Sequence, residues 1–73
     1  MYERIRNFRE DRDKTQTEIA RLLRVSQATY SDYENGKLNI PVPSLAALAL
    51  LYGTSIDYLV GLTDEPAPYP RAK

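Results

Sequence analysis

The 73-residue sequence predicts an all-α domain built of five short helices. Apolar residues recur at helical spacing, and no segment alternates in the way of a half-buried strand. Hydroxyl residues Thr15, Ser26, Ser44 and Ser55 stand where helix N-caps belong. Gly36, Gly53 and Gly61 each fall just past an apolar helical stretch, the usual place for a glycine C-terminal stop.

The elements follow in order. Ile5 and Phe8, with Tyr2 and Arg9 nearby, give the first helix a narrow apolar stripe, and the charged run Glu10 to Lys14 ends it. Thr15-Gln16-Thr17-Glu18 reads as a capping box, in which hydroxyl and carboxylate each satisfy a free amide of the helix start. Ile19, Leu22 and Leu23 then share one face of a second helix, with Ala20 beside them. Ser26 opens a third helix over residues 27–35, with Tyr30, Tyr33 and part of Glu34 on its inner side. Lys37 to Pro43 contains two prolines and reads as a loop. Ser44 is expected to cap the fourth helix, with Leu45, Leu48 and Leu51 inward and Ala46, Ala47 and Ala49 allowing close approach. Ser55 caps a short fifth helix carrying Ile56, Leu59 and Val60. Residues 1–63 form the domain, and 64–73 form a proline-rich tail expected to be extended or disordered. Of the tyrosines, Tyr30, Tyr33 and Tyr58 are expected in the core, and Tyr2, Tyr52 and Tyr69 outside it.

Composition removes several function classes. With no Cys there is no disulfide and no thiolate metal site; with no His, the commonest metal ligand and general base are missing. The acidic residues Glu10, Asp11 and Asp13 alternate with Arg12 and Lys14, which describes a solvated helix end better than a cation site. Together with the lack of a phosphate-cradling glycine loop, this predicts no enzyme, no metal, no cofactor and no small-molecule ligand. No apolar run is long enough for a membrane span, and the start reads as helix rather than signal sequence, so an intracellular, cytoplasmic protein is expected. The tyrosines invite a single-strand stacking hypothesis, but their helical spacing assigns them to packing first.

Charge by itself does not suggest nucleic acid. Ten basic residues balance ten acidic ones. Between Lys14 and Lys37 the balance is plus one, from Lys14, Arg21, Arg24 and Lys37 against Glu18, Asp32 and Glu34.

The second and third helices, joined by Arg24-Val25-Ser26, have the lengths and the connection of a helix-turn-helix unit. The outer face of the third is small and polar: Ala28, Ser31, Asp32 and Asn35, with Gln27 projecting from the first turn. Such a face approaches base edges closely, and glutamine is a good bidentate partner for adenine. The pattern Gln16…Ala20…Val25-Ser26-Gln27…Ser31-Asp32-Tyr33-Glu34-Asn35-Gly36…Pro41 resembles the phage Cro and repressor-type (XRE-like) helix-turn-helix family. The flanks Ile5-Arg6…Arg9-Glu10 and Ser55-Ile56-Asp57-Tyr58-Leu59-Val60-Gly61 match as well, so the similarity spans nearly all of the domain.

The resemblance implies a lambda-repressor-like five-helix fold and a nucleoid-associated transcriptional regulator, usually a repressor. It implies a homodimer on a two-fold symmetric DNA operator, with the helix 27–35 in the major groove. By position it implies base contacts from Gln27, Ala28, Ser31 and Asp32, and backbone contacts from Gln16, Ser26, Thr29, Asn35 and Lys37. It marks Arg9 and Glu34 as a structural pair linking the first and third helices. A protein-interaction or assembly module with weak DNA binding is the alternative, because Asp32 and the neutral balance weaken the DNA face.

Three positions depart from the family pattern. Arg24 stands where the family prefers glycine, and serves either as a strained turn residue or as a phosphate contact. Tyr30 replaces a β-branched aliphatic, so the core must accept a ring or tilt it outward. Asp32 is repelled by phosphates unless it accepts from a cytosine amino group, and stands as either a solvated charge or a base reader. Modest affinity and a shallow salt dependence are expected. Helix five and the tail start, at Tyr58, Val60 and Leu62, form the expected dimer surface, with first-helix contacts as the alternative.

Overall fold

Capping chemistry sets most of the helix boundaries. In the computed structural model, which describes residues 2–67, the chain forms α1 (Glu3–Asp11), α2 (Gln16–Leu23), α3 (Gln27–Glu34), α4 (Val42–Tyr52) and α5 (Ile56–Leu59). Thr15 and Glu18 make the reciprocal capping box, with Glu18 N to Thr15 Oγ1 and Thr15 N to Glu18 Oε1 both at 3.1 Å. Ser26 and Ser55 accept from the amides of Thr29 and Tyr58, each at 3.1 Å. Gly53 follows α4 at φ 65°, a left-handed conformation that glycine adopts without a Cβ penalty. No described residue lies in a strand, and no described helix is long and apolar enough to cross a membrane.

The fourth helix begins earlier than the serine signal suggests. Its N-cap is Pro41, and Ser44 lies within the first turn. Proline is pre-set for this role: Pro41 sits at φ −59°, and the amide that Pro43 lacks would find no helical partner in a first turn.

Leu22, Leu51 and Tyr52 also differ from expectation. Leu22 is 61% exposed, while Ile19 and Ala20 are buried and Leu23 is half-buried. The inward stripe of α2 runs through Gln16, Ile19, Ala20 and Leu23, and Leu22 lies well off its centre. Likewise α4 buries Leu45, Leu48, Ala49 and Tyr52, leaving Leu51 exposed. Tyr52 takes the inward position because its ring stacks on Phe8, with centroids 5.0 Å apart and planes 7° from parallel. Leu22, Leu50 and Leu51 then rim an open apolar groove between α2 and α4, floored by Leu23, Ala47 and Leu48.

The core joins all five helices around Ile5, Ile19, Tyr30, Leu48 and Leu59, each almost fully buried, with Ile40 added from the loop before α4. α2 packs chiefly on α3 and α4 on α5, while α1 touches both α3 and α5. The core accepts the Tyr30 ring, which meets Tyr33 edge to face at 6.4 Å. Its hydroxyl and that of Tyr52 are buried without hydrogen bonds of good geometry. The contact of Tyr30 with the Glu34 carboxylate is electrostatic rather than a formed bond. Burial first, and that carboxylate second, push the Tyr30 phenol far above its ordinary value; the same two causes raise Tyr52.

The tail starts against the domain. Arg4 lies over the Tyr58 ring at 4.0 Å and donates to the carbonyls of Tyr58 and Thr63, at 2.8 and 2.6 Å, and to Asp64 Oδ1 at 2.9 Å. Thr54 donates to the Pro66 carbonyl at 2.7 Å. Tyr69 and the remainder of the tail, 68–73, lie outside the described residues, as does Met1.

Arg24 ends α2 at φ 60°, and Asp13 adopts φ 53°. A left-handed L-residue is strained, so Arg24→Gly should raise stability by about 1 kcal/mol in urea unfolding of the natural chain and the variant. The raised phenols make a second expectation. Their contribution is complete below the unfolded tyrosine value of ~10 and is lost as pH rises above it. Unfolding followed at increasing alkalinity should show stability declining above about pH 10, less so for Tyr30→Phe.

Candidate nucleic-acid interface

The outward face of α3 is placed by a charge on its inward face. The Glu34 side chain has no solvent exposure, and it accepts from Arg9 in bidentate fashion, Nε to Oε2 at 2.7 Å and Nη2 to Oε1 at 3.1 Å. Arg9 is itself held by the Lys14 carbonyl at 2.9 Å, so α1 and the turn after it grip α3 through one guanidinium. Gln16 Nε2 donates to Glu34 Oε1 at 3.1 Å, bringing the start of α2 to the same carboxylate. Burial alone would raise the Glu34 pKa, but the donors Arg9 and Gln16, with the nearby Tyr30 hydroxyl, outweigh it and hold the carboxyl below its ordinary value. Its hydrogen bond to Glu34 raises Arg9 further, against the opposing effect of burial.

From there the bonds run outward. Gln27 Nε2 donates to Gln16 Oε1 at 2.6 Å. The amide orientations follow from the carboxylate: Glu34 only accepts, so Gln16 turns its NH2 inward and its oxygen toward Gln27. Gln27 must then give one N–H to Gln16, keeping its oxygen and a second N–H free on the exposed first turn of α3. That remaining pair is the donor-acceptor set that matches an adenine edge.

The other residues singled out from the sequence fall into small groups. Ser26 and Thr29 are joined through their hydroxyls at 2.9 Å and serve the cap. Ala28 is exposed beside Gln27, and Ser31 and Asp32 are half-buried farther along α3. Asn35 Nδ2 donates to Ser31 Oγ at 3.4 Å. The Asp32 carbonyl receives the amides of Lys37 and Leu38 at 2.9 and 3.3 Å, which folds the exposed Lys37 back beyond the helix end. Arg24 is exposed in the turn between α2 and α3. Among the residues named for dimerisation, Tyr58 is covered by Arg4 and edged by Phe8, Val60 is half-buried, and Leu62 is 77% exposed.

Sequence reasoning passed over Arg6. Its Nη2 donates to Asn35 Oδ1 at 2.9 Å and its Nε lies 3.5 Å from Glu34 Oε1. A signal existed: Arg6 precedes Arg9 by three residues and therefore shares its face of α1.

A family model described as helix-turn-helix matches residues 5–59, most of the chain and the whole unit just described. The chain belongs to the helix-turn-helix family. This helix-turn-helix protein is also 35% identical over 71 residues to a Bacillus subtilis (strain 168) protein named as an uncharacterized HTH-type transcriptional regulator, YobD. The match covers 97% of the chain and 63% of the relative, so the chain spans less than two thirds of that relative's length. No solved structure matches the chain.

Removing one partner of a buried ion pair strands the other, so Glu34→Gln and Arg9→Met should each cost ~3–5 kcal/mol in urea unfolding near neutral pH. A depressed carboxyl contributes stability above its unfolded value of ~4.3, and that contribution is lost as pH falls through the folded value. Acid titration of the natural chain should therefore lose stability below about pH 4 by an amount that Glu34→Gln does not.

Proposed function

We propose that this helix-turn-helix protein is a sequence-specific double-stranded DNA-binding transcriptional regulator. It acts by binding rather than turnover, as a cytoplasmic, nucleoid-associated repressor of prokaryotic or phage origin. The single observation that carries this reading is the bonded series Arg9, Glu34, Gln16 and Gln27. Three side chains, Arg9, Glu34 and Gln16, serve to fix the exposed amide of Gln27 at the first turn of α3, a precision that an ordinary solvated glutamine has no use for. The printed name of the Bacillus subtilis relative supports the same reading.

In this reading α3 lies in the major groove. Gln27, Ala28, Ser31 and Asp32 face bases, with Asp32 accepting from a cytosine amino group. Gln16, Arg24, Ser26, Thr29, Asn35 and Lys37 face the backbone. One such helix reads only a few base pairs, so a homodimer on a two-fold symmetric operator, with half-sites about one turn apart, supplies the specificity.

The exposed groove rimmed by Leu22, Leu50 and Leu51 favours a second reading, a module that docks protein. Selection from a random double-stranded pool at low salt separates the two. DNA binding predicts enrichment of a symmetric site, with Gln27→Ala relaxing one position per half-site by ~1–3 kcal/mol. Failure to enrich any site would overturn the DNA reading and leave the docking one.

A further inference from the structure

We propose that Arg6 is a positioning residue for DNA recognition, which sets the direction in which the Asn35 amide presents its donors at the end of α3. The inference rests on the DNA-binding reading above. Arg6 reaches across from α1, and its Nη2 donates to Asn35 Oδ1 at 2.9 Å. A guanidinium has donors and no acceptor, so the Asn35 amide must turn its oxygen toward α1. Its NH2 then faces the other way, where one N–H reaches Ser31 Oγ at 3.4 Å and the other is left at the exposed surface.

Ser31 cannot choose between the two amide orientations. Its hydroxyl accepts from an NH2 and donates to a carbonyl oxygen equally well. Arg6 therefore supplies the selection. In the flipped form an oxygen would face the DNA backbone, acceptor against acceptor, and Asn35 would offer a phosphate nothing. Arg6 is not needed to neutralise Glu34, whose carboxylate already holds Arg9 in bidentate fashion and Gln16 besides. Its own approach to that carboxylate is the longer one, at 3.5 Å. The geometry thus gives Arg6 a directional task at Asn35, one that pairing charge with Glu34 does not explain.

A double-mutant cycle tests it, read as affinity of the full 73-residue chain for its selected DNA site over a range of salt. Arg6→Met should weaken binding ~fivefold in the natural background and less than ~twofold in the Asn35→Ala background, with the salt slope unchanged in both. Arg6→Lys, which keeps a donor toward Asn35, should restore most of the affinity. Equal losses in the two backgrounds would overturn the inference, and a salt slope reduced by about one would identify Arg6 as a phosphate contact instead. If the natural chain selects no site at all, the DNA-binding reading fails and takes this inference with it; selection with additive losses sinks only the role of Arg6.

Discussion

A carboxylate that leaves water loses several kcal/mol of solvation, and it stays ionised in a protein only where donors and an opposite charge replace what was lost. Glu34 is in that position, and the way it is satisfied reaches every part of the helix-turn-helix unit. Arg9 comes from α1, Gln16 from the first turn of α2, and Glu34 itself from the last turn of α3. Three elements are thus fixed to one pair of oxygens. Hydrophobic contact would hold α2 and α3 together but leave their relative sliding soft, since apolar packing is non-directional. Bidentate and amide hydrogen bonds have defined angles, and they hold α3 in one rotation about its own axis. That rotation decides which residues face outward.

The rest of the domain supports this arrangement with a small core. A chain of this size buries too little apolar surface to be generous with stability. It uses aromatic rings and cations to extend the core at its edge. Arg12 lies over both Phe8 and Tyr52, near 5 Å from each ring centre, and donates to the Tyr52 carbonyl. Arg4 does similar work on Tyr58 while holding the chain that follows α5. Arginine suits these places because its stem covers apolar surface while its planar head stays hydrogen-bonded and partly hydrated. Arg4, Arg9 and Arg12 are therefore structural members, which is why counting them as a DNA-binding stripe would mislead.

Local signals made most of the fold legible. Caps at Thr15, Ser26 and Ser55 and the stops after α3, α4 and α5 act within a few residues of the chain, so they can be read without knowing what packs where. The errors came where tertiary contact decides. Ser44 looked like a cap, but prolines at positions 41 and 43 started the helix before it. Leu22 and Leu51 fit an apolar stripe by spacing alone, yet Gln16 and Tyr52 take the inward positions through partners far away in sequence. The turn at Asp13 carries a left-handed residue that no glycine announced. At the candidate site, family position supplied the residues but not their order of connection. That Gln16 stands between Glu34 and Gln27, and that Arg6 reaches Asn35, depends on three helices meeting at one point.

The neutral charge balance changes meaning once the fold is known. Glu34 belongs to the formal count between Lys14 and Lys37, but its charge is buried and answered by Arg9 from outside that stretch. Glu18 is occupied by the cap of α2 and lies 3.7 Å from Lys14. Among the described residues of that stretch, this leaves the exposed Arg21, Arg24 and Lys37 against the half-buried Asp32. A phosphate approaching the face meets more positive charge than composition suggests, yet far less than a basic stripe would present. Binding that relies on few counterions gives up non-specific affinity first, because that part is almost wholly electrostatic. What remains is carried by directed contacts, and these depend on amides held in one orientation. In the proposed DNA-binding reading, low charge and a hydrogen-bonded framework are two sides of one solution: the less the face attracts any DNA, the more discrimination would rest on Gln27 and Asn35 pointing the right way.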